Sequence, residues 1–228
     1  MSVFSPGIVT ETYTPDRLIA GHNIPPVTRN GTLKSGDGAR LRGTLLGQIT
    51  AGAATSAAKS GGNTGNGTCT VDATTPTLVN VIPGVYQVRF KVAATNNGTF
   101  EVTDPRGASL GVAVMAAGAA TFSNRIKFAI ADGATDFAVG DGFDITVAAG
   151  SGKLVKAVKT AGDGSAVPFG ILVDDADSTS GDVVCGAYVA GEFDINSVIV
   201  DASFDLTTEA DLALLRAANL HIKTPIAA

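Results

Sequence analysis

Gly107-Ala108-Ser109-Leu110-Gly111 spells the Gly-x-Ser-x-Gly string of a hydrolase nucleophile, with aspartates and His221 following it in hydrolase order. That chemistry needs a sharp strand-to-helix turn that lifts the serine above a parallel sheet. Here the string follows the turn sequence Asp104-Pro105-Arg106-Gly107 and runs into Val112-Ala113-Val114. A returning hairpin strand is expected, and no nucleophile. Ala149-Gly150-Ser151-Gly152-Lys153-Leu154 has the look of a phosphate loop, but Leu154 replaces the metal-holding hydroxyl and Val147 stands where the leading glycine belongs. The acidic run from Asp174 to Asp182 suggests a calcium loop. Counted from Asp175, its glycine falls one position late, and Gly186 stands where a bidentate glutamate is needed. His22 and His221 have no Cys, His or Glu at metal-ligand spacing. Asp136, Asp141 and Asp144 are explained by turns and an outward strand face. No catalytic, cofactor-binding or metal-binding residue is assigned, and no enzyme is expected.

The elements that would have to position such residues are mostly strands. Tyr86, Val88, Phe90 and Val92 alternate with Gln87, Arg89 and Lys91. The same period of two runs through Phe100 and Val102, through Ile126, Phe128 and Ile130, and through Phe143, Ile145 and Val147. Each run puts one face in a core and the other in water, as antiparallel strands do. Asn96-Asn97-Gly98, Asp104 to Gly107 and Gly140-Asp141-Gly142 supply the turns. Residues 61–152 thus read as a β-sandwich or barrel, entered through the glycine-rich stretch 60–67 and left through 148–152. Ala51 to Ser60 reads as a linker by its small residues. Ala39 to Thr50, Phe169 to Val173 and Val183 to Phe193 read as strands of a second, interrupted fold. One helix is expected, capped by Thr208 with Asp211 three residues on, striped by Leu212, Leu214 and Leu215, and ending near Asn219.

Residues 1–30 carry Pro6, Pro15, Pro25 and Pro26, which forbid a long helix and favour an extended arm. Val3, Phe4, Ile8, Val9 and Tyr13 are apolar within it, as in a segment that docks on a partner. The domain reading is therefore an arm at 1–30, a discontinuous core at 31–60 plus 153–228, and an inserted unit at 61–152.

Composition narrows the partners. A net charge of −5, with no cluster of Lys and Arg, argues against nucleic acid. No stretch is apolar enough to span a bilayer, and Met1 to Pro6 lacks the basic start of a signal peptide, so a soluble protein made in the cytoplasm is expected. Cys69 and Cys185 read as free thiols, although two cysteines leave a bridge open. A 6% aromatic content with no Trp suggests a core rich in Ala and Val, to which oligomer or partner contacts would add stability.

The flanks, taken together, carry a resemblance. Arg42-Gly43-Thr44-Leu45-Leu46-Gly47-Gln48-Ile49-Thr50, then Pro168-Phe169-Gly170-Ile171-Leu172-Val173-Asp174-Asp175, then Ala187-Tyr188-Val189-Ala190-Gly191-Glu192-Phe193, resemble in order the lambda-type head decoration proteins of tailed bacteriophages. The inserted stretch also looks like a module of other phage structural proteins, through Gly98 to Pro105 and Ile130 to Ala134. The resemblance implies a mainly β fold, a small decoration-protein core with one C-terminal helix interrupted by an antiparallel β-sandwich. It implies a homotrimer on local three-fold sites of the expanded head, cementing the major capsid protein against the pressure of packaged DNA. The implied place is the outer surface of the virion, with no cofactor. Applied to this chain, Val3, Phe4, Ile8, Val9 and Tyr13 are the expected capsid contacts, and the insert is expected to project outward from the shell. A displayed module that binds glycans or cell surfaces is the alternative.

Overall fold

Two packed units with separate cores account for residues 17–224, which are the residues described by the computed structural model. The described strands are β1 (Ile19–Gly21), β2 (Val27–Leu33), β3 (Ala39–Arg40), β4 (Leu45–Gln48), β5 (Ala51–Ala58) and β6 (Thr68–Val71). The chain continues through β7 (Gly84–Ala94), β8 (Asn97–Thr103), β9 (Ser109–Met115), β10 (Ala119–Asn124), β11 (Ile126–Ala131) and β12 (Gly142–Ala149). It ends with β13 (Leu154–Lys156), β14 (Pro168–Leu172), β15 (Ala176–Asp177), β16 (Val183–Asp194), α1 (Glu209–Ala217) and β17 (Leu220–Lys223). The fold is mainly β, with one helix among the described residues.

The flanking segments close a five-stranded barrel. β16 pairs with β14, β14 with β4, β4 with β13, β13 with β2, and β2 returns to β16. All are antiparallel except β13–β2. Each strand sends one side chain into the interior: Leu33, Leu46, Leu154, Leu172 and Ala187, all buried. Their chain neighbours Leu45, Ile171 and Tyr188 point the other way, into a second cluster with Phe193, Val198, Phe204, Leu215 and Leu220 beneath α1. The doublets Leu45-Leu46 and Ile171-Leu172 are apolar on both faces because the barrel wall is covered inside and out. Closure brings backbones into contact: a Cβ on Gly47 would lie 1.9 Å from the Ser165 carbonyl oxygen. α1 starts as its sequence predicts. Thr208 caps it, its hydroxyl accepting from the Asp211 amide at 3.4 Å, and it ends at Ala217 with Asn219 left-handed at φ 62°. The Asp211 carboxylate, 2% exposed, accepts from the Asp205 amide and from Lys159 and so ties the helix start to the barrel.

The second unit has a five-stranded sheet, β5-β12-β7-β8-β9, facing a three-stranded sheet, β10-β11-β6. The two are seamed at β9–β10 by the Ala116–Ala119 bridge and an Asn124 to Leu110 hydrogen bond of 3.0 Å. At β5–β6 the Ser56 hydroxyl donates to the Cys69 carbonyl at 2.6 Å. The core differs from the Ala and Val filling that composition suggests. Phe143, Phe137, Phe90, Phe100, Phe128 and Phe122 form a continuous chain of ring contacts, with centroids 4.4 to 6.1 Å apart.

One reading of the sequence is corrected. Ala51 to Ala58 is not a linker: β5 pairs with β12 from Ala149↔Ala51 to Phe143↔Ala58, and Ala51 and Ala54 are buried. Backbone hydrogen bonds build that wall, so methyl groups suffice where bulk was expected. The two units therefore meet at Ile49–Ala51 and Ala149–Gly152. Ile49 donates to the Lys153 carbonyl, Gly152 to that of Ile49 and Gly150 to that of Thr50, each at 2.9 Å. β4 and β13 continue as a ribbon into β5 and β12. The joint is braced from the side by the Asp163 carbonyl, which accepts from both Thr50 and Ala51 at 2.9 Å. Gly162 lies so near the loop before β7 that a Cβ there would sit 2.2 Å from the Thr77 carbonyl oxygen.

Candidate functional site

The motifs with catalytic overtones are structural. Ser109 opens β9 opposite Thr103 in an antiparallel pair, and its hydroxyl bonds to Glu101. His221 lies in β17, in the other unit. Lys153 pairs with Asp182 at 2.5 Å, and Asp182 also accepts from the Ser35 amide at 2.8 Å. In the acidic run, Asp175 accepts from the Arg42 amide at 2.7 Å and so ties the run to the segment before β4, while Asp177 accepts from the Thr179 amide and hydroxyl and organises its own turn. Asp141 accepts from the amides of Thr64, Gly65 and Ala138, each at 2.9 Å. Burial pushes its carboxyl upward, but those three donors outweigh it and hold it below the usual range. Among the described residues, no group of three or more His, Cys, Asp and Glu is placed to hold a metal. Cys69 and Cys185 are free and lie in different sheets. Burial raises both thiols, that of Cys69 to about 12.

The end of the barrel from which β1 departs is a better candidate. β1 and β17 pair with the same stretch of β16, on its two opposite edges: Ile19 faces Phe193, and Gly191 to Asp194 face Leu220 to Lys223. The Leu18 carbonyl accepts from Asp194 and the Lys223 carbonyl from Ile195, both at 3.0 Å. The two ends of the described chain therefore leave from one place, about two strand spacings or 10 Å apart. Beneath them lies Glu192, 3% exposed, which accepts from the Asn23 amide at 3.2 Å and pairs with Lys223 at 3.2 Å. A Cβ on Gly21 would meet its carboxylate at 2.1 Å. This small sheet is pinned on both sides by one buried acid. Among the described strands β1 pairs with β16 alone. Val3, Phe4, Ile8, Val9 and Tyr13 precede β1 and lie outside the described residues.

Sequence reading did not find this sheet. β17 leaves only the short alternation Leu220, His221, Ile222, Lys223 as a signal, and nothing local to Glu192 reports its burial.

The chain's own seam forms a second feature. The loop at Val79–Ile82 faces residues 164–168 and the C-terminal half of α1 across a groove of about 490 Å3, lined by Val79, Ala166, Val167, Leu214 and Ala218. An adjoining hollow of about 440 Å3 is lined by Ile82, Arg106 and Arg125.

Comparison with known proteins gives a match over almost the whole chain. A family model described as bacteriophage lambda head decoration protein D matches residues 8–222. No curated protein matches. Two crystal structures of Xanthomonas campestris FlgL, in space groups H3 and C2, align at 24% identity and a TM-score of 0.31. They cover 47% and 49% of this chain and 33% of each FlgL chain, so this chain spans about a third of those proteins. A likeness at that TM-score assigns nothing here.

Proposed function

The chain belongs to the family of bacteriophage lambda head decoration protein D, and from that premise we propose that it binds the outside of the expanded phage head as a homotrimer and stabilises the head against packaged DNA. A capsid decoration role in the virion comes with the family, which is structural and not enzymatic. The observation that carries the proposal is the reach of the family match, from residue 8 to residue 222, which takes in both flanks of the interrupted barrel. The geometry supports it. β1 follows directly on the N-terminal segment and, among the described strands, pairs on one edge only. An extended arm continuing from it would meet the capsid protein by strand addition, through backbone hydrogen bonds and alternate side chains. Val3, Phe4, Ile8, Val9 and Tyr13 are the contacts we assign to the major capsid protein, and the proposed interface includes neither nucleic acid nor membrane. The alternative, a displayed glycan-binding module, gains no support from the surface: the large apolar residues exposed among those described are all aliphatic.

The test mixes purified protein with expanded, undecorated heads and with unexpanded proheads, then sediments both. High-copy binding to expanded heads only is expected; binding to neither overturns the proposal. Val9→Pro removes one backbone donor from the arm and is expected to weaken binding to expanded heads. Undiminished binding by that variant would rule out strand addition at this position.

A further inference from the structure

We propose that Glu192 is a positioning residue for the capsid-binding arm: seated on Gly21, it fixes the register of β1 on β16 and so the point from which the arm departs. This inference rests on the decoration role above. β1 has little else to define its register. Two pairs, Ile19↔Phe193 and Gly21↔Glu192, join it to β16, with an irregularity between them. Its link to β2 carries slack: Gly21 lies opposite Glu192 and Val27 opposite Ala190, so residues 22–26 span a step of two residues along β16. Leu18 is buried in the cluster that holds Leu45 and Phe193, and it keeps the outer end of the strand down. Beyond it Ala20 is exposed, and Gly21 has no side chain to act as an anchor.

Glu192 supplies what the short pairing lacks. One of its carboxylate oxygens accepts from the Asn23 amide and the other pairs with Lys223, each at 3.2 Å. The first of these oxygens would lie 2.1 Å from a Cβ on Gly21. The end of an exposed side chain swings clear of such a contact, but this one is buried and held from both sides. A slip of β1 by one residue in either direction brings Ala20 or His22, each with a Cβ, onto the carboxylate. Gly21 is the one glycine in β1, so a single register fits. A buried ion pair adds little net stability, and setting register is the best-attested use of one. A one-residue slip turns every side chain of a strand to its other face. In strand addition the alternate side chains carry the specificity, so the lock decides which of them a strand continued from β1 offers to the capsid protein.

Two measurements on the full chain test this: amide hydrogen exchange of the free protein, and sedimentation with expanded heads. Glu192→Ala is expected to speed exchange over residues 18–23 at least about tenfold while leaving β14 as in the parent. It is expected to bind heads at least about fivefold more weakly, because the arm no longer starts from one place. Gly21→Ala drives a Cβ into the same carboxylate and is expected to have the same two effects, with the double variant no worse than either single one. Glu192→Gln keeps an acceptor for Asn23 and a side chain of the same shape over Gly21, and is expected to restore both readouts. Exchange over 18–23 unchanged in Gly21→Ala overturns the lock, and that variant decides even where Glu192→Ala also loosens β14. Faster exchange with undiminished head binding overturns the positioning of the arm while leaving the decoration role intact. Failure of the parent chain to sediment with heads at all overturns the decoration role itself, and this inference with it.

Discussion

Single carboxylates hold many of the turns together, and their state sets the acid limit of the fold. Asp201 accepts from the Ser203 amide at 3.0 Å and from Lys156 at 3.1 Å, and these donors, the serine first, bring its carboxyl down to about 2. Asp104 is held low first by the Ala108 amide, then by Arg106 and Arg125, and Asp211 by the Asp205 amide and Lys159. A carboxylate depressed in the folded state stabilises it fully above the unfolded value of about 3.9, and that stabilisation is lost as pH falls toward the folded value. The melting temperature is therefore expected to be flat from pH 7 to about 5 and to fall between about 4 and 2. Thermal melts across that range check it; a melting temperature unchanged at pH 2 would contradict the role given to these groups. Such pairings were visible in the sequence only as Asp followed two or three residues later by Ser, Thr or Gly. Their long-range partners, Arg125 for Asp104 and Lys159 for Asp211, come from elements far along the chain.

At the scale of elements, alternation was the reliable signal. The strands around Tyr86 to Val92, Ile126 to Ile130 and Phe143 to Val147 stand where period two places them. It failed where side chains do not carry the information. β5 is made of Ala, Gly, Thr and Ser and is a strand because β12 offers it an edge. The barrel was invisible for the same reason. Its wall is covered on both faces, so its strands show apolar doublets instead of alternation, and its closure depends on one parallel pairing, Leu154 with Leu33. Leu154 is 1% exposed and lies among the interior residues of the other four strands. Leu154→Ala is expected to cost about 2–5 kcal/mol of unfolding free energy, through lost burial and the cavity left behind. Denaturant titration measures it, and a loss under about 1 kcal/mol would mean that the barrel interior collapses around the gap.

For the whole molecule, composition and turn spacing led to the expectation of an interrupted arrangement, and the arm expected from the prolines lies, over residues 1–16, outside the described residues. Composition misplaced the first boundary, because small residues read as a linker. We propose residues 51–149 as the inserted unit, since its core runs from Ala51 to Val147 without a member from the flanks. Replacing that span by a tight turn between Thr50 and Gly150 is expected to leave the barrel folded, because those two residues are already hydrogen-bonded as a hairpin would be. Circular dichroism and cooperative melting of the shortened chain test this. A chain without a cooperative transition would show that the barrel needs the insert.

The barrel's one parallel seam, between β13 and β2, also bears on how the chain can assemble. Its two strands lie roughly 120 residues apart, and closing a loop of that length through a disordered chain is slow. Three of the insert's six strand pairings, β7–β8, β8–β9 and β10–β11, are hairpins between sequence neighbours, so much of it needs no contact with the flanks to form. Once formed, it holds Thr50 beside Gly150 and hands the barrel a preformed β4–β13 hairpin. A long detour in the chain thus becomes a short one in space, and the insert acts as a clamp within its own polypeptide, holding together the two halves that the seam seals.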